Sequence, residues 1–134
     1  MTPWPSNPRP LFLAGAVWNL AAGLSGLLAT ELSLRIFYGV EGVEPITLLV
    51  SRLFWLNVVV MGIGYAAISR NPGRDRALIA VALVSKALEF VIWAVLAAMG
   101  DATLWAVAAG VGNLVFAAMF LRFLLGAGPR EASP

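Results

Sequence analysis

Four continuous apolar stretches constrain this chain more than any other feature. They run from Leu11 to Ala29, Ile46 to Ile68, Ala77 to Met99 and Ala102 to Leu125. The hydrocarbon core of a bilayer is about 30 Å thick and takes about 20 helical residues to cross, so each stretch is long enough. The first carries no charge, the second carries Arg52, the third carries Lys86 and Glu89, and the fourth carries Arg122 close to its end. The runs are rich in Ala and Leu without period-two alternation, which predicts helices and not barrel strands. Hydrophobic residues are 60% of the 134 and charged residues 12%, against roughly 45–50% and about 25% in a soluble domain. A small soluble domain leaves too much surface exposed to hide that excess. The expected fold is therefore all-α: an integral membrane four-helix bundle, a single membrane domain over residues 1–134, with a disordered tail from Gly126 to Pro134. The first stretch exceeds the usual apolar run of a signal peptide and is expected to stay as a span.

The residue types that are missing narrow the chemistry. The chain has no cysteine and no histidine. Thiolate nucleophiles, iron–sulfur ligation, His-based metal sites and the usual general base near neutral pH are thereby removed. No catalytic constellation and no metal site is expected, and the sequence specifies no cofactor.

Charge placement sets an expected orientation. The link Ser69-Arg70-Asn71-Pro72-Gly73-Arg74-Asp75-Arg76 holds three arginines and a Pro-Gly turn signal. With that link and both termini on one side, the side collects Arg9, Arg70, Arg74, Arg76, Arg122 and Arg130, and the other side keeps only Arg35. That bias places the link and both termini in the cytoplasm. The arginines are spread over three places, so no nucleic-acid partner is expected. The longest link, Thr30 to Pro45, interleaves apolar residues with acids and glycine. It is open to three readings: an extension of the first helix, an interfacial segment, or a cap on the bundle. Trp4, Tyr38, Tyr65 and Trp105 fall near the predicted interfaces, where aromatic belts form. Trp18, Trp55 and Trp93 fall deeper, and each needs an acceptor for its indole N–H.

Polar residues inside a span are costly and mark a site by default. The candidates are Asn19, Arg52, Asn57, Lys86, Glu89 and Asn113. At about 1.5 Å per residue from the arginine-link side, Lys86 lies about 13 Å deep, Asn57 about 16 Å, Glu89 about 18 Å and Arg52 about 24 Å. Lys86, Glu89 and Trp93 share one helical stripe, which predicts an internal Lys86–Glu89 ion pair. Gly15-Asn19-Gly23 and Ala106-Gly110-Asn113-Ala117 are stripes in which small residues flank an asparagine, a pattern that lets helices approach and hydrogen-bond. Asn57 and Arg52 are expected to reach toward the pair from the second helix. They lie too far apart around that helix to point at one spot, so Arg52 has the alternative of extending toward the nearer membrane face.

From Arg52 to Lys86 the chain resembles a group of small four-helix bacterial inner-membrane proteins of unassigned function, known loosely as DoxX-like. The resemblance rests on Arg52, Gly62-Ile63-Gly64-Tyr65, Asn71-Pro72, Arg74, Arg76 and Lys86. It implies a bacterial inner-membrane location and little chemistry, and Glu89 lies outside its pattern. Three functions compete. The first is a non-enzymatic bundle, either an accessory subunit of a larger membrane complex or a binder of a hydrophobic small molecule or lipid. The second is a small proton-coupled transporter acting as a homo-oligomer. The third, ranked last, is a membrane enzyme using Glu89 and Lys86.

Overall fold

The computed structural model describes residues 7–126. Every described element is helical: α1 (Arg9–Leu28), α2 (Thr30–Tyr38), α3 (Pro45–Ile68), α4 (Arg76–Met99) and α5 (Leu104–Gly126). All but α2 are long and apolar enough to span a membrane, as expected of a multi-pass membrane protein. In hydrocarbon a backbone must satisfy its own hydrogen bonds, and a helix does so within one segment.

Local chemistry sets the boundaries. Pro10 and Pro45 sit at the first turns of α1 and α3, where a missing N–H costs nothing. Gly39 and Gly100 end α2 and α4 in the left-handed conformation, with φ of 67° and 85°. Thr103 caps α5: its Oγ1 accepts from the Trp105 N–H at 3.2 Å. That cap moves the start of α5 from the expected Ala102 to Leu104. At its other end α5 takes in Gly126, which the sequence assigns to the tail. Residues 127–134 and Trp4 lie outside the described residues.

The link from Thr30 to Pro45 contains a helix of its own. The chain leaves helical geometry at Ala29 (φ −125°, ψ 52°) and restarts at once as α2. Thr30 Oγ1 donates to the Leu27 carbonyl at 3.0 Å across this break. At its far end α2 is tied to the start of α5, where the Thr103 N–H donates to Phe37 O at 2.8 Å and Thr103 Oγ1 donates to Ile36 O at 2.5 Å. Of the three readings, capping fits: α2 packs against α1, α3 and α5 at one end of the assembly.

The long helices form two close pairs, α1 with α3 and α4 with α5. Glycine makes the first pair possible. A Cβ on Gly23 would lie 2.8 Å from the Val59 backbone nitrogen, and one on Gly62 would lie 3.0 Å from that of Leu20. At the arginine-link end the pairs close around Phe12, Tyr65, Ile68, Ile79, Phe120 and Phe123. Phe12 stacks on Phe120 and meets Phe123 edge-on, each at 5.4 Å between centroids. Arg76 Nη2 donates to the Leu124 carbonyl at 2.7 Å, fastening the start of α4 to the end of α5.

The α1–α3 contact is thus a backbone contact, and side-chain rearrangement cannot relieve an added methyl group there. Gly23→Ala should lower stability in detergent by about 1–3 kcal/mol, the range for overpacking. Gly64→Ala, where an added Cβ meets nothing within 4 Å, should be neutral or slightly stabilising. Thermal denaturation of the two variants beside the parent protein checks both.

Candidate functional site

Between the aromatic plug at the link end and the cap formed by α2, side chains from the long helices build a polar layer. Lys86 is its centre. The residue is 2% exposed, on the face of α4 that turns inward. Its Nζ donates to Asn19 Oδ1 of α1 and to Asn113 Oδ1 of α5, both at 2.7 Å. The Tyr65 ring of α3 lies beneath the ammonium, 5.7 Å from its centroid, in cation–π range. Each long helix therefore contributes one group to the Lys86 environment.

Asn113 does the most work per atom. Its Oδ1 also accepts from Trp18 Nε1 at 3.2 Å, so both lone pairs are used. Its Nδ2 donates to Glu89 Oε2 at 2.6 Å. The amide can sit only one way round: flipped, its NH₂ would face an ammonium group and its oxygen a carboxylate. Asn19 completes the layer, donating from Nδ2 to the Val58 carbonyl of α3 at 3.4 Å.

Several expectations need correction. Lys86 and Glu89 form no direct ion pair; the Asn113 amide stands between them. At a spacing of three residues both lie on one side of α4, but an asparagine on the facing helix offers an acceptor to one and a donor to the other. Asn57 does not join the site. It is exposed on the outer side of α3 because Trp55, Val58, Gly62 and Tyr65 form the inward stripe. Arg52 is also exposed; it lines a cleft of about 390 Å³ with Glu31 and Arg35 at the α2 end, away from the polar layer. Tyr65, read as part of an aromatic belt, is 1% exposed and packs in the core. The signal for it was present: Tyr65 continues the Trp55-Val58-Gly62 stripe at spacings of three and four. Trp105 is exposed at the start of α5.

The deep indoles all find acceptors, two of them on the cap. Trp55 Nε1 donates to Ser33 Oγ at 3.0 Å and Trp93 Nε1 to the Tyr38 hydroxyl at 3.1 Å. Phe37 lies between these two tryptophans, 5.8 and 5.6 Å from their rings. Neither partner carries a sequence pattern that marks it as an indole acceptor.

Beneath the cap a chamber of about 50 Å³ is lined by Asn19, Lys86, Glu89, Asn113 and the three deep tryptophans, among others. It is roomy enough for water, with polar partners to hold it. Outside it, between α1 and α5, runs an apolar groove of about 830 Å³ whose wall includes Leu13, Val17, Ala21, Ala109 and Phe116. Trp18 borders both spaces. Its indole is 40% exposed toward the groove while its N–H is held by Asn113.

The two asparagines are unequal in this geometry. Asn113→Leu strips Lys86, Glu89 and Trp18 of a partner each and should cost about 3 kcal/mol or more, as breaking a buried charged network does. Asn19→Leu removes one acceptor from Lys86 and one long bond to Val58, and should cost about 1 kcal/mol, near the membrane hydrogen-bond average. Unfolding titrations in mixed micelles measure both, and equal losses would contradict the central place of Asn113.

No protein-family model, curated protein or solved structure gave a match to this chain, so the polar layer is read from its own geometry.

Proposed function

We propose that the protein is a non-enzymatic four-helix bundle of the bacterial inner membrane that binds a hydrophobic small molecule or lipid in the groove between α1 and α5. The observation that carries this reading is the groove itself, about 830 Å³ and almost wholly apolar, with Trp18 as the wall it shares with the polar chamber. Small-molecule sites pair apolar walls with a few fixed polar groups. Small side chains (Ala14, Ala21, Ala22, Ser25 and Ala109) keep the groove open. An acyl or isoprenoid chain reaches it from the bilayer without crossing water. The inner-membrane placement, with the arginine link and both termini cytoplasmic, rests on the distribution of arginines and on the DoxX-like resemblance. The Asn113 hydrogen bond on Glu89 favours a fixed counter-charge over a carboxylate that exchanges protons during transport.

The test is retention of ligand. Native mass spectrometry of protein extracted in mild detergent should show a bound lipid or hydrophobic molecule. Ala21→Phe fills the groove from an exposed position and should abolish retention at unchanged melting temperature. Glu89→Gln should keep the ligand and lower the melting temperature, because Lys86 is left without its counter-charge. Retention by Ala21→Phe would overturn the groove as the site.

A further inference from the structure

Asn57 sits halfway along α3, exposed, where a membrane-spanning helix meets hydrocarbon. Among the described residues it is the one exposed amide within the four spans, and its side chain has no hydrogen-bond partner. Lipid tails offer none, and an unsatisfied polar group in hydrocarbon is costly. The residues around Asn57 say what covers it. Ile46, Val50, Leu53, Asn57, Val60 and Gly64 follow one another at spacings of four, three, four, three and four. The first five are exposed, and Gly64 is half-buried with nothing within 4 Å of where a Cβ would stand. The outward residues Val81, Val84, Leu88, Val91 and Val95 of α4 follow the same spacing, so what sets the α3 face apart is Asn57, the kind of polar residue that at a central seam position fixes register and partner number.

We propose that this face of α3 is a homodimer interface, in which two copies pack α3 against α3 and their Asn57 amides hydrogen-bond to each other. A second copy is the occupant because the amide is complementary to itself. It brings an N–H donor dipole and a carbonyl acceptor dipole, and each meets its opposite on an identical partner. Copies inserted with one topology present parallel α3 helices. A two-fold axis along the membrane normal then sets Asn57 opposite Asn57 at equal depth. The other outward faces lack such a group: α4 presents Val81, Val84, Leu88 and Val95.

The absence of cysteine in the chain makes the test direct. Leu53→Cys and Val60→Cys, each in otherwise unchanged full-length protein, are oxidised in native membranes beside Val81→Cys and Val95→Cys. The expected result is a disulfide-linked dimer of the chain from the two α3 positions and little from the α4 positions. In vesicles, energy transfer between labelled copies measures the dimer constant. Asn57→Leu should weaken it roughly tenfold, the worth of two interhelical hydrogen bonds, and Asn57→Gln should largely preserve it. Circular dichroism establishes that each variant is folded. Equal cross-linking from both helices, linkage of the α3 positions to a different polypeptide, or a dimer constant indifferent to Asn57→Leu overturns the proposal.

Discussion

An ammonium group at this depth is cut off from bulk water, so the protein must supply fixed hydrogen bonds and a counter-charge. Lys86 imposes this requirement, and the geometry around it is the answer. Asn19 and Asn113 give it two acceptors, Tyr65 gives it a π face, and Glu89 gives the opposite charge one amide away. The interposed amide is informative. A direct pair needs only α4, on which both charges lie. A bridged pair needs α5 as well, and the second asparagine brings in α1. The network therefore joins helices across the two close pairs, as the stacking of Phe12 on Phe120 does at the arginine-link end.

The polar layer is possible because its two sides are sealed by different means. Toward the arginine link, Phe12, Phe120 and Phe123 stack into a plug of aromatic rings. Toward the other end, α2 lies over the chamber with Phe37 between Trp55 and Trp93. At the cap, the polar groups facing the layer are matched: Ser33 and the Tyr38 hydroxyl accept the Trp55 and Trp93 N–H groups. Hydrogen bonds shielded in this way are stronger than they would be beside water, and unmatched groups correspondingly more costly.

The four spans were legible in the sequence because hydrocarbon thickness leaves a length signal that side-chain packing does not blur. Their ends shifted by one or two residues where a cap, such as Thr103, decided the matter. Asn19 and Asn113 were legible as a pair of small-residue stripes. The bridging of Lys86 and Glu89 was not, since periodicity orders residues along one helix and says nothing of what the facing helix offers. Asn57 misled for a related reason: depth was readable, but facing required knowing that Trp55 and Tyr65 turn inward. The cap helix was hidden because a break at one alanine carries no proline or glycine to announce it. No sequence signal marks which serine or tyrosine will answer a buried indole.

That cap has a consequence for motion. It is attached to the rest of the protein at three places: Ser33 receives Trp55 of α3, Tyr38 receives Trp93 of α4, and the Phe37 carbonyl receives Thr103 at the head of α5. Ala29 joins it covalently to α1. One nine-residue helix thus touches all four spans, and it cannot tilt without releasing bonds to three of them together. Small displacements are resisted by several hydrogen bonds at once, and a displacement large enough to break them would uncover the chamber from above while leaving the glycine-packed helix pairs intact.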